Sequence, residues 1–178
     1  MDIYYPMATT GRHNDIAMSL TGSIFDLKRK REVRAYQEQC ALVYYGSMKI
    51  KNDFYLVDTT DLDDIDDFIE NVILELDYVQ PDFILFKNNP YIENKKRTRI
   101  AGQPDLVVEV WSRNNKKNER AFLQNLYATS AVTEHWYIEQ DSNEVICYLG
   151  KERLENQCLT KVLVTRGGLE FDLRYLAL

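Results

Sequence analysis

The chain is poor in the residues that build small stapled scaffolds, with three cysteines, four prolines and seven glycines in 178 residues. Cys40, Cys147 and Cys158 are widely spaced and contain no CxxC pair. Neither a disulfide framework nor a thiolate zinc site is therefore expected. No run of about 18 consecutive apolar residues occurs, so no membrane-spanning helix is expected. The first residues, MDIYYPMATTGRH, lack the basic-then-apolar pattern of a secretory leader. A cytoplasmic protein without a membrane partner is the expectation. Patterns of the type GxxxxGK[ST], GxGxxG, GxSxG and HExxH are missing, which removes support for P-loop, dinucleotide-binding, serine-hydrolase and zinc-protease chemistry. There is no excess of positive charge either. Against 22 Lys and Arg stand 28 Asp and Glu, a net charge of -6.

What is present has the size and the 45% hydrophobic content of one globular domain, and residues 1–178 are read as such. The cationic residues are clustered at KRKREVR (28–34), KKRTR (95–99) and KKNER (116–120), whereas DLDDIDD (61–67) gathers acid elsewhere. Local clusters of this kind can follow a polyanion even on an acidic protein. Ile16, Leu20, Ile24 and Leu27 recur at helical spacing and predict an amphipathic helix over about 14–31. CALVYYG and DFYLVDT read as strands, able to pair as a hairpin, and a helix with an acidic outer face follows from Thr60 or Asp61. The acids there lack the glycine and terminal Glu of a calcium loop.

YVQPDFILFKN predicts a strand with its proline near the start, NPYIENKKRTRIAG a long basic connection, and PDLVVEVWS a central strand covered on both faces. A helix carrying Leu123, Leu126 and Tyr127 on one face comes next, then two strands, EHWYIEQ and EVICYLG, joined by a DSN turn. LTKVLVTRGGLEFDL supplies a last short strand and a Gly-Gly turn. The strand, helix, strand unit over 105–139 predicts parallel strands. The fold class is α/β, a mixed sheet flanked by helices.

Within PDLVVEVWS, strand alternation puts Asp105, Val107, Glu109 and Trp111 on one face. If the two PD strands run antiparallel as neighbours, Asp82 falls near Glu109. Two ionised carboxylates brought together out of water cost several kcal/mol unless a cation or proton compensates them. A divalent ion, Mg²⁺ or Mn²⁺, is the natural compensation, and one held this way can polarise a phosphoryl oxygen and activate water. The competing reading is that Asp82 and Asp105, each following a proline at a strand start, accept backbone N–H bonds. Glu109 is harder to explain in that way, because it sits mid-strand among apolar residues. His13 and His135 have no partner at ligand spacing and are read as capping or surface residues.

The set VQPDFILF, GQPDLVVEVWS, a helix ending in LYATSAV, and EHWYIEQDSNEVICYL resembles the Uma2 family (DUF820) of endonucleases, within the PD-(D/E)XK, or restriction-endonuclease-like, superfamily. GRHNDIAMSL near the N-terminus is in keeping with it. The resemblance implies Asp82 and Glu109 as ligands of Mg²⁺ or Mn²⁺, Asp105 as a further acidic member, and a basic group that orients water or stabilises the phosphorane. The chain departs from the pattern at that basic group. Trp111 stands two residues after Glu109, and Leu123 stands four before Tyr127, the two places where a Lys is expected. SRNN replaces the usual SPST, Glu119 replaces an Asp, and Ala131 replaces a Gly. Lys117, Lys116 and Arg120 are the candidates for the missing charge, with Lys117 expected to be catalytic and Lys116 and Arg120 expected to contact nucleic acid. Lys95, Lys96, Arg97 and Arg99 are expected to follow the backbone of DNA. The implied activity is metal-dependent cleavage of DNA, and a homodimer is compatible with it. The alternative is a catalytically silent nuclease-fold protein that binds nucleic acid or a protein partner.

Overall fold

The computed structural model describes residues 11–30, 32–37, 41–43, 78–89, 91–93, 99–130 and 132–178. The expected strand at 53–59, its hairpin, the acidic helix after Thr60, and Lys95, Lys96 and Arg97 lie outside the described residues.

The N-terminal apolar stripe forms two helices, α1 (Gly11–Ser23) and α2 (Phe25–Arg29), where a single one is expected over 14–31. The break at Ile24 follows Gly22 and Ser23, both weak helix formers, and the Ser23 hydroxyl bonds back to the Ser19 carbonyl. The buried face is as expected: Ile16, Leu20 and Ile24 are fully covered.

The principal sheet contains, in chain order, β1 (Arg34–Gln37), β4 (Phe83–Phe86), β7 (Leu106–Trp111), β8 (Glu134–Glu139), β9 (Glu144–Leu149), β10 (Glu152–Arg153) and β11 (Gln157–Cys158). Its spatial order is β1-β4-β7-β8-β9-β10, with β11 also on β9. β7 and β8 are parallel and joined through α3 (Lys117–Thr129), as the 105–139 pattern predicts, while the remaining pairs are antiparallel. β8 and β9 form the expected hairpin.

A smaller sheet has the order β3-β2-β6-β5, formed by β2 (Ala41–Val43), β3 (Tyr78–Val79), β5 (Tyr91–Glu93) and β6 (Arg99–Gly102). Two expectations are corrected by it. The segment read as one strand through Pro81 is two strands in two sheets, because proline cannot donate to a ladder and the chain leaves the first sheet there. The segment read as a basic connection contains the antiparallel pair β5 and β6, with Ile92 opposite Ala101. The C-terminal region likewise gives a pair, β12 (Leu163–Val164) and β13 (Glu170–Phe171), closed through Gly168 at φ 77, a conformation that favours glycine.

All six residues of β7 are buried, so its continuous apolar run does mark a strand covered on both sides. One face, with Leu106, Val108, Val110, Phe83, Leu85, Trp136 and Ile138, packs under Ile16, Leu20 and Ile24 of the N-terminal helices and under Phe171 and Leu173. The other, with Val107, Trp111, Ile84, Phe86 and Tyr137, packs under Leu123, Leu126 and Tyr127 of α3. Burying each of these large side chains contributes about 1.5–3 kcal/mol. Among the described residues no helix is long and apolar enough to cross a membrane.

Glu134 fastens the C-terminal pair to the sheet. Its carboxylate, buried at the start of β8, accepts hydrogen bonds from Trp136 Nε1 at 2.6 Å and from the Arg166 amide at 2.7 Å. Burial raises its pKa, and the two donors partly offset that rise. Glu134→Ala removes the acceptor for both buried donors, and a loss of about 2–4 kcal/mol in urea unfolding is expected. Glu134→Gln, which keeps an acceptor oxygen, should recover part of it.

Candidate functional site

Antiparallel pairing of β4 and β7 sets Phe83 opposite Val108, which brings Asp82, just ahead of β4, beside Glu109. Asp82 Oδ2 accepts the Val110 amide at 2.5 Å, so the backbone itself locks the aspartate at this place. Its other oxygen, Oδ1, lies 3.1 Å from His13 Nε2 in the first turn of α1. Glu109 is 7% exposed, and its Oε1 accepts the Tyr127 hydroxyl of α3 at 2.5 Å. The site is therefore assembled from β4, β7, α1 and α3.

Burial is the main cause that holds the Glu109 pKa well above the ordinary carboxylate range, and the negative charge of Asp82 raises it further. The Tyr127 hydrogen bond opposes the shift, and Glu119 adds a smaller rise. The Tyr127 hydroxyl is itself pushed up by burial and then by Glu109. The same face continues into a buried polar chain along β8: the Tyr137 hydroxyl lies 2.8 Å from His135 Nδ1, and His135 Nε2 lies 2.8 Å from the Gly150 carbonyl. A carbonyl only accepts, so Nε2 carries the proton and Tyr137 donates to Nδ1. Burial lowers the His135 pKa, consistent with a neutral ring.

Sequence reading treats both histidines as capping or surface groups, and the structure differs for both. His135 is 1% exposed and His13 is 8% exposed. The signal for His13 was available, since it continues the stripe of Ile16, Leu20 and Ile24 one turn earlier.

Asp105 is not part of this group. Its Oδ2 accepts the amides of Lys87, Asn88 and Asn89 at 2.7, 3.2 and 3.3 Å, so it caps the turn after β4. This is the strand-start role that an Asp after proline can take, at the start of β7 about 13 Å from Glu109. Among the described residues no three or more His, Cys, Asp or Glu side chains form a group able to hold a metal by themselves. Asp82 and Glu109 fit a hard dication that keeps water and substrate oxygens for most of its shell, because both donors are carboxylates whose mutual repulsion such an ion would relieve.

The cationic candidates differ in their surroundings. Lys116 and Lys117 are exposed at the start of α3. Arg120 is largely covered: it bonds Glu139 Oε1 at 2.5 Å and the Ser112 carbonyl at 2.6 Å, and it lies 4.6 Å over the Trp111 ring. Of Arg99 the structure describes the backbone, in β6. At the two expected lysine positions, Trp111 packs in the core beneath α3, and Leu123, on α3 itself, is partly buried against that core.

Two outcomes separate the acids. Asp105→Ala releases three turn amides and is expected to lower stability by about 1–3 kcal/mol in denaturant titration. For Glu109 the folded pKa lies above the unfolded one, so the folded state holds the proton more tightly. In chelator, stability should be greatest below the ordinary glutamate pKa and fall as pH rises from there through the raised value. Glu109→Gln should flatten that slope in thermal melts recorded across pH, and an unchanged slope would assign it to another group.

The sequence profile of the Uma2 family, described as "Putative restriction endonuclease", matches residues 3–173. No curated protein matches the chain. Among solved structures, a protein described as a "putative nuclease belonging to DUF820" from Anabaena variabilis is similar with a TM-score of 0.60 and 17% sequence identity, over 99% of this chain and 87% of that one. The mixed sheet with helices on both faces is thus a nuclease-like α/β fold, as the resemblance implies. With 171 of its 178 residues spanned by that profile (173 minus 3, plus 1), the chain belongs to the Uma2 family.

Proposed function

We propose that the protein is a metal-dependent endonuclease acting on DNA, with Asp82 and Glu109 as the ligands of Mg²⁺ or Mn²⁺. The observation that carries this reading is the carboxylate pair: Glu109, buried and held by Tyr127, is destabilised in its charged form by burial and by the neighbouring, partly exposed Asp82. A protein with no use for a cation gains nothing from that arrangement. When bound, the dication supplies a Lewis acid for the phosphoryl oxygen and lowers the pKa of a coordinated water.

The chain's own groups do the rest. The Val110 amide and His13 fix the orientation of Asp82, and Tyr127 fixes one oxygen of Glu109. Lys116 and Lys117, exposed at the start of α3, are placed in this reading against the phosphate backbone. Asp105 keeps the strand end in place. Two such sites facing the two strands of a duplex would give a reason for a homodimer.

A second reading, a silent nuclease-fold protein that binds nucleic acid, draws support from Trp111 and Leu123. Trp111 is core and Leu123 packs partly buried against it where a lysine is expected, and Arg120 is engaged by Glu139.

Purified protein with Mg²⁺ or Mn²⁺ is expected to nick supercoiled DNA, to stop in chelator, and to lose at least about 100-fold in rate in Asp82→Ala or Glu109→Ala. Cleavage that survives both substitutions defeats the assignment. If the wild type is inactive and Leu123→Lys gains activity, the silent reading is the correct one.

A further inference from the structure

Arg12 neighbours His13 in the first turn of α1, within GRHNDIAMSL and outside the three cationic clusters. Its Nε donates to the Gln140 carbonyl at 2.5 Å, and the Gln140 amide in turn donates to the Trp111 carbonyl at 2.8 Å. The guanidinium is thereby held at the ends of the parallel strands β7 and β8, the end of the sheet at which His13 meets Asp82.

Among the described residues, Arg12 Nη2 is buried and has no hydrogen-bond partner, and no carboxylate pairs with this guanidinium. Leaving a buried charged donor unpaired is costly, and such orphans are rare in folded proteins. Trp111 Nε1, at the same strand end, is a second buried donor without a partner. An anchored guanidinium with an unused nitrogen, at the carboxyl ends of two parallel strands and beside a second unpartnered donor, has the features of an anion site.

We infer that Arg12 binds a backbone phosphate of the nucleic-acid substrate, taking over at this strand end the cationic contact that Trp111 and Leu123 cannot make. The inference rests on the nuclease-fold reading for the identity of the anion. It requires neither the metal nor cleavage. The Gln140 carbonyl fixes one edge of the guanidinium, and because the side chain is only partly buried a phosphate oxygen meets it from its exposed side.

The test is fluorescence anisotropy of a labelled DNA duplex in chelator over a series of salt concentrations, with Arg12→Gln and Arg12→Lys. Arg12→Gln is expected to weaken binding about 10-fold or more, as loss of one charged hydrogen bond does, and to reduce the salt slope by about one. Arg12→Lys should restore the slope and only part of the affinity, because it keeps the charge and loses the planar fork. Thermal melts of both variants separate a binding defect from a folding one. Should Arg12→Gln fail to fold, Arg12→Lys still decides through its intermediate affinity.

Wild-type affinity and slope in either variant would overturn the inference, as would a wild type that does not bind the duplex. The nuclease reading is judged separately, by nicking in Mg²⁺ and its loss in Asp82→Ala. Duplex binding sensitive to Arg12 without any cleavage would keep this inference and reject that one.

Discussion

The structure depends on an unfavourable contact that the rest of the fold enforces. Asp82 and Glu109 stand side by side because β4 and β7 are paired in one register, with Phe83 opposite Val108. That register is set by the apolar residues on both faces of the two strands, and a slip of one residue would turn every one of them to the wrong layer. The core contributes far more free energy than the two acids cost. It can therefore hold them in proximity, and Glu109 responds by retaining its proton to higher pH.

Around this pair the two layers have different tasks. The helical layer of α1 covers one face and sends His13 to Asp82, while α3 covers the other and sends Tyr127 to Glu109. Each carboxylate is thus oriented by a separate helix, and each helix is fixed by its own apolar stripe. Packing and chemistry share the same elements, so a change in either helix reaches the acids through a single side chain. The Tyr137 and His135 chain extends this order along β8, where neutral hydrogen bonds satisfy buried polar groups without adding charge.

Much of the fold was legible because its signals are local. The apolar run of β7, the DSN turn between β8 and β9, and the apolar face of Leu123, Leu126 and Tyr127 each read correctly from neighbours in sequence. The errors have physical causes of another kind. Pro81 divides what looks like one strand between two sheets, and the polar composition of residues 90–102 hides the pair β5 and β6. The serine hydroxyl and the glycine near Ser23 end α1 before its stripe ends. In the candidate site, the nearness of Asp82 and Glu109 followed from assuming antiparallel neighbours. Asp105 separates from them because its oxygen is taken by three amides of a turn that only forms once β4 and β7 pair.

The sequence by itself determined the alternation that puts Glu109 on one face of a buried strand, the helix stripes that cover both faces, and the family to which the chain belongs. Periodicity and motif spacing are properties of short segments, and side-chain direction follows from them. Tertiary structure decided which groups surround the acids. His13 and Asp82 are 69 residues apart in sequence (82 minus 13) and 3.1 Å apart in space. Arg12 reaches Gln140 across 128 residues, and Arg120 turns to Glu139 and Trp111. Such contacts depend on how helices dock on a completed sheet, and no local pattern of residues encodes that docking.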